Sequence, residues 1–121
     1  GVQVAYGLSN MKIHAKLSLI TRLEAEQLVK TRHIVNPGNL PADVHEALLR
    51  WSEAAHKTLN CRGATRADFR YDSDSGRIAI LEVNTQPGLT PLSLLPEQAL
   101  AAGMDFTTLV TWMVENAACD A

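Results

Sequence analysis

Along Ala15–Thr21 an apolar set, Ala15, Leu17 and Leu19, alternates with a mixed one, Lys16, Ser18 and Ile20. A period of two belongs to a strand with one apolar face. Val2–Tyr6 reads as a strand too, with a turn-like GLSN after it. Leu23–Val29 carries helix-forming residues over too short a run to define its state. Arg32–Val35 fits a short strand, and NPGN at 36–39 breaks whatever precedes it.

The period then changes. From Pro41 to about Leu59, Val44, Ala47, Leu48, Trp51, Ala54, Ala55 and Leu59 recur at helical spacing. Pro41 suits the first turn, Asp43 sits near the positive end of the helix dipole, and Asn60 suits the stop. Thr65–Tyr71 and Arg77–Asn84 return to strand character, joined by DSDSG, a turn by composition. TQPGLTP is loop. Pro96–Ala102 is a short helix ended by Gly103. Asp105 then caps a last helix whose apolar face is Phe106, Leu109, Val110, Met113, Val114 and Ala117. Consecutive strands favour an antiparallel or mixed sheet of four or five strands. Two or three helices over one face would make the fold α+β.

Composition narrows the function classes. The chain has 121 residues, enough for one domain. Its formal charge of −2 argues against a nucleic-acid partner, which selects clearly basic surfaces. No apolar run approaches the roughly 18 residues of a membrane span. Cys61 and Cys119 make no disulfide framework; two free thiols suit a reducing, cytoplasmic location.

The densest chemistry lies in RADFRYDSDSGRIAILEVNTQPG, Arg66 to Gly88. Strand alternation puts Arg66, Asp68 and Arg70 on one face of the first strand. It puts Ile78, Ile80, Glu82 and Asn84 on one face of the second. A five-residue loop sets Arg66 opposite Glu82 and Asp68 diagonal to it, about 7–8 Å away. Two carboxylates and an amide oxygen suit Mg²⁺, and an adjacent Arg can neutralise a phosphoryl group. A surface hairpin with cross-strand ion pairs fits the same pattern. Against that bland reading, Glu82 and Asn84 end an apolar run, where a carboxylate is costly unless paired or metal-bound. If Asp68 and Glu82 repel each other without metal, Asp68→Asn should leave stability unchanged or improved. Leu17→Asp and Leu81→Asp should each prevent folding by burying an unpaired charge.

From about Thr31 to Ala117 the sequence resembles the C-terminal, ATP-grasp part of D-alanine–D-alanine ligases, through TRHIVNPGNLPADV, AAHKTLNCRGATRADFRYD and LEVNTQPGLTPLSLLPEQALAAGMDFTTLV. That resemblance implies ATP and Mg²⁺ as cofactors of the parent family. It implies Asp68, Glu82 and Asn84 as metal ligands and Arg66 on the phosphoryl group and tetrahedral intermediate. It implies the Gly88 N–H on the oxyanion and Ser93 on the carboxylate of the second substrate. The first 24 or so residues, around KIHAKL, resemble a polyphosphate kinase segment. There His14 would be the phosphorylated nucleophile and Lys16 its helper, although both also fit the polar face of a strand.

Two ancestries imply a chimera, engineered or recombined, with 1–30 a borrowed strand pair and junction and 31–121 the ligase-like part of one composite domain. The ligase's nucleotide clamp is not recognisable in these residues. The expectation is a folded protein without autonomous catalysis, binding Mg²⁺ weakly at most. One alternative is a ligase fragment active only with the missing domains; another is a phosphotransferase using His14. Exposed fragment surface could also be covered by a second copy, through dimerisation or strand exchange.

Overall fold

The computed structural model describes residues 40–119 in full, and the backbone of three earlier strands: β1 (Val2–Tyr6), β2 (Leu17–Arg22) and β3 (Thr31–Val35). Helix α1 (Ala42–Thr58) leads to the hairpin β4 (Thr65–Tyr71) and β5 (Ile78–Asn84). Helices α2 (Leu94–Ala101) and α3 (Phe106–Glu115) close the order, giving an α+β fold. The strands form one antiparallel sheet in the order β3-β2-β1-β4-β5. The N-terminal strands are therefore continuous with the hairpin. β1 borders β4, from Val2 opposite Phe69 to Tyr6 opposite Thr65.

Each helix ends as its local sequence dictates. Asn60 takes φ 51°, so the amides of Asn60 and Cys61 turn back onto the carbonyls of Lys57 and His56, both at 3.0 Å. That is a Schellman stop with Asn in the left-handed position. Gly103, at φ 90°, does the same for α2. Asp105 caps α3 by accepting from the Thr108 amide at 2.8 Å. Helix α2 begins at Leu94, two residues before the expected Pro96. Pro96 is tolerated there because first-turn amides lack intrahelical partners anyway.

The buried faces differ from those read off hydrophobicity. In α1 the inward stripe is Val44, Leu48, Ser52 and His56, each four residues from the last, while Trp51 and Leu59 stay exposed. Ser52 and His56 can occupy it because both are hydrogen-bonded. Ser52 Oγ donates to the Leu48 carbonyl at 2.7 Å, and His56 Nδ1 lies 2.9 Å from Thr65 Oγ1 on β4. Val44 and Leu48 pack on Ala67 and Phe69 of β4, with Tyr71, Ile78 and Val83 at the margin. A second cluster joins α2 to α3 through Leu95, Ala99, Met104 and Leu109, with Ala64 just before β4. In α3 only Leu109 is fully buried; Phe106 and Val114 remain exposed. Among the described residues no helix is long and apolar enough to cross a membrane.

Candidate active site

The face of β4 turned away from α1 carries Arg66, Asp68 and Arg70, as strand alternation requires. Their partners on β5 are not the expected ones. Arg66 stands opposite Asn84 and Asp68 opposite Glu82, whereas Phe69 pairs with Ile80. One extra residue, Leu81, is bulged out between these pairings. The bulge reverses the alternation within β5. Ile78 and Ile80 fall on the α1 side with Tyr71 and Phe69, while Glu82 and Asn84 fall on the other side with Asp68 and Arg66. Without it, a strict period of two would put all four on one face.

Arg66, Asp68 and Glu82 meet there, and Asn84 shares the face by register. Arg66 Nε donates to Asp68 Oδ1 at 2.8 Å and Nη2 to Asp68 Oδ2 at 3.1 Å, a two-pronged ion pair within one strand. Arg66 Nη2 also approaches Glu82 Oε1 at 3.8 Å. The Asp68 hydrogen bonds, more than the nearby carboxylate charges, hold the guanidinium above its usual pKa against the opposing effect of burial. Asn84 Oδ1 accepts from the Gln86 amide at 2.9 Å, which fixes the side chain in an Asx turn at the strand end.

Two expectations about this strand need correction. β5 is an edge strand, and Ile80, Leu81 and Glu82 are exposed, with the Glu82 side chain 63% accessible. Glu82 does not end a buried run, so burial cost is no argument for metal there. Leu81→Asp would not bury a charge, because Leu81 points out of the bulge at 63% exposure. Asp68, by contrast, is buried and already paired with Arg66, so its carboxylate does not simply face a repelling Glu82.

Beyond Asn84 the loop brings Gly88 against Ser93. A Cβ added to Gly88 would lie 2.7 Å from Ser93 Oγ, so the hydroxyl occupies space that only glycine leaves free. Ser93 also closes a turn on Thr90: its amide donates to the Thr90 carbonyl at 2.9 Å, and its Oγ accepts from the Thr90 amide at 3.0 Å. The two hydroxyls are 2.7 Å apart. Residue reasoning alone finds neither Gly88 nor Ser93. The missed signal is T-P-x-S, with Pro91 at the second position of a turn that ends on a helix N-cap. Also missed was the His56–Thr65 bond, which ties α1 to the start of the site strand.

Among the described residues no three His, Cys, Asp or Glu side chains gather as a metal cluster. The set here is two carboxylates and one amide, all oxygen donors of the kind Mg²⁺ accepts alongside water and phosphate. Cys61 and Cys119 are free thiols. His14 and Lys16 lie outside the described residues.

On the edge hairpin of this antiparallel sheet an arginine, two carboxylates and an amide come to one face, and the family comparison sets the chain in the ATP-grasp class. Residues 9–115 match the D-ala D-ala ligase C-terminus, and the chain belongs to that family. It is 56% identical over 89 residues to the D-alanine–D-alanine ligase of Acidiphilium cryptum, covering 74% of this chain and 29% of that protein. It is 56% identical over 94 residues to the corresponding ligase of Granulibacter bethesdensis, covering 75% and 30%. The chain thus spans less than a third of the length of these relatives. Among solved structures, the Bacillus anthracis D-alanine–D-alanine ligase complexed with ATP superposes with a TM-score of 0.74 at 28% identity, over 95% of this chain and 36% of that one.

The family match takes in KIHAKL, so a single ancestry accounts for residues 9–115. The expected polyphosphate kinase segment, and the chimera built on it, find no support. Alternation of the K-I-H-A-K-L kind is what any amphipathic strand shows, and six residues of it cannot identify a family.

Proposed function

We propose that these residues form the metal- and phosphate-holding end of an ATP-dependent D-alanine–D-alanine ligase. One observation carries the reading: the Leu81 bulge delivers Glu82 and Asn84 to the face where Asp68 and Arg66 already stand. Asp68, Glu82 and Asn84 would hold Mg²⁺. When bound, the ion would screen the charge of the ATP phosphates and orient them.

The chain's own residues do the rest of the work assigned to this end. Arg66 keeps a full positive charge, and its fork on Asp68 fixes the guanidinium before any ligand arrives. It can then donate to a phosphoryl oxygen or a tetrahedral oxyanion without reorganising. Gly88 leaves its backbone N–H approachable for the same oxyanion. Ser93 offers a hydroxyl to the carboxylate of the incoming D-alanine. Free thiols at Cys61 and Cys119 suit a cytoplasmic setting.

Turnover needs more than this face. Acyl phosphate chemistry depends on positioning the reactants and excluding water, and an exposed edge hairpin does neither alone. The 121 residues by themselves should therefore show negligible activity. The test is reconstitution with the complementary part of the Acidiphilium cryptum ligase. D-alanine-dependent ADP release should appear on mixing and vanish with Glu82→Ala. No release on mixing, with both parts folded and associated, would overturn the proposal.

A further inference from the structure

The turn from Thr90 to Ser93 contains a hydrogen-bond arrangement that the roles above leave unused. Ser93 Oγ receives the Thr90 amide at 3.0 Å and lies 2.7 Å from Thr90 Oγ1. A serine hydroxyl has one donor and two acceptor sites. Two hydroxyls in contact use one O–H between them, whichever of the two donates. If Thr90 donates, both acceptor sites of Ser93 are filled, and its own O–H can only point outward as a donor. If Ser93 donates, the outward O–H is that of Thr90. When Thr90 donates, the Ser93 O–H is the one oriented donor the pair presents. Opposite it, Gly88 leaves no room for a side chain, since a Cβ there would sit 2.7 Å from Ser93 Oγ. The serine is held on one side and hemmed in on the other.

We infer that Thr90 is a positioning residue: it fixes the Ser93 hydroxyl so that the pair presents a preset O–H donor to a ligand carboxylate. The inference rests on the proposed ligase reading for the identity of the carboxylate, that of the second D-alanine. A preset donor selects a ligand that accepts. It favours a carboxylate, whose charge makes it the stronger acceptor, over an ammonium group, which cannot accept, and no rotation of either hydroxyl is needed on binding. Thr90 is exposed and Ser93 only half-buried, so neither is held for the sake of the core. The cluster spends two internal bonds on a surface hydroxyl whose natural alternative is water.

The test uses this chain with sodium D-alaninate as probe, followed by amide chemical shifts in ¹H–¹⁵N spectra. The Thr90 and Ser93 amides should move on titration. Thr90→Val keeps the shape and the backbone amide but loses the hydroxyl, and it should weaken the titration about fivefold, the effect of one orienting hydrogen bond. Thr90→Ser restores the hydroxyl and should restore the binding. Gly88→Ala, which displaces Ser93 by a different route, should weaken it as well. Thr90→Val binding as tightly as the parent, Thr90→Ser failing to rescue, or no movement of these amides in the parent would each overturn the inference. A parallel Mg²⁺ titration, read at Asp68, Glu82 and Asn84, reports on the ligase reading separately. Loss of the carboxylate response alone sinks the role of Thr90; loss of both sinks the reading beneath it.

Discussion

Replacing Asp68 by Asn should destabilise the protein, the reverse of what charge repulsion alone suggests. Both oxygens of Asp68 accept from Arg66, at 2.8 and 3.1 Å, and the two side chains are only 12% and 19% exposed. An asparagine keeps one acceptor and loses the charge. Arg66 is then left partly buried, with only the 3.8 Å approach of Glu82 to balance it among the described residues. A hydrogen bond to a charged group contributes about 1.5–3 kcal/mol. Losing one such bond and weakening the other should cost about 2 kcal/mol. For a domain of this size that is roughly 6–10 °C in Tm, and a sizeable part of a total of about 5–15 kcal/mol. The assay is thermal unfolding at pH 7 in EDTA, with Glu82→Gln as control. The Glu82 side chain is 63% exposed and its ion pair long, so the control should change stability by less than about 1 kcal/mol. Asp68→Asn melting at or above the parent temperature, with a native spectrum, would refute the claim that the Arg66 fork dominates this face.

Leu81→Asp should fold and melt within about 0.5 kcal/mol of the parent, since the side chain sits on a bulge at 63% exposure; failure to fold would mean the bulge is not where it is placed. Leu48→Ala, at a fully buried position against Phe69, should cost about 2–5 kcal/mol in urea unfolding. Burial first, and the charge of Lys57 second, hold the His56 imidazole below its usual pKa. The unfolded chain therefore takes up a proton before the folded one does, so this contribution is complete above about pH 6.5. It is lost as pH falls from there through the lower folded value. His56→Gln should flatten the slope of stability against pH in that window. Asp105→Ala should cost about 1 kcal/mol by removing the cap of α3.

Much of the fold follows from local chemistry that a sequence displays openly. Asn60, Gly103 and Asp105 mark helix ends because their conformations and side chains satisfy particular backbone groups. The period of β4 predicts its two faces correctly, since nothing interrupts it. In β5 the same rule misplaces Ile78 and Ile80, because one bulged residue inverts every position beyond it and leaves no compositional trace. In α1, counting apolar residues rotates the buried face toward Trp51 and Leu59. Ser52 and His56 go inward instead, because each finds a partner that only the folded chain provides. Gly88 and Ser93 are legible only through family resemblance. Their contact across the loop depends on a turn that brings together residues five apart.

The metal-holding face depends on the bulge at Leu81 bringing Glu82 and Asn84 to the side of Asp68. Paramagnetic Mn²⁺, standing in for Mg²⁺, tests that placement directly by broadening the amide signals nearest to it. The Asp68, Glu82 and Asn84 signals should be lost early and selectively, and Glu82→Ala should abolish the effect. Broadening centred on the acidic turn at Asp72 and Asp74, with the Asp68–Glu82 pair untouched, would contradict that placement.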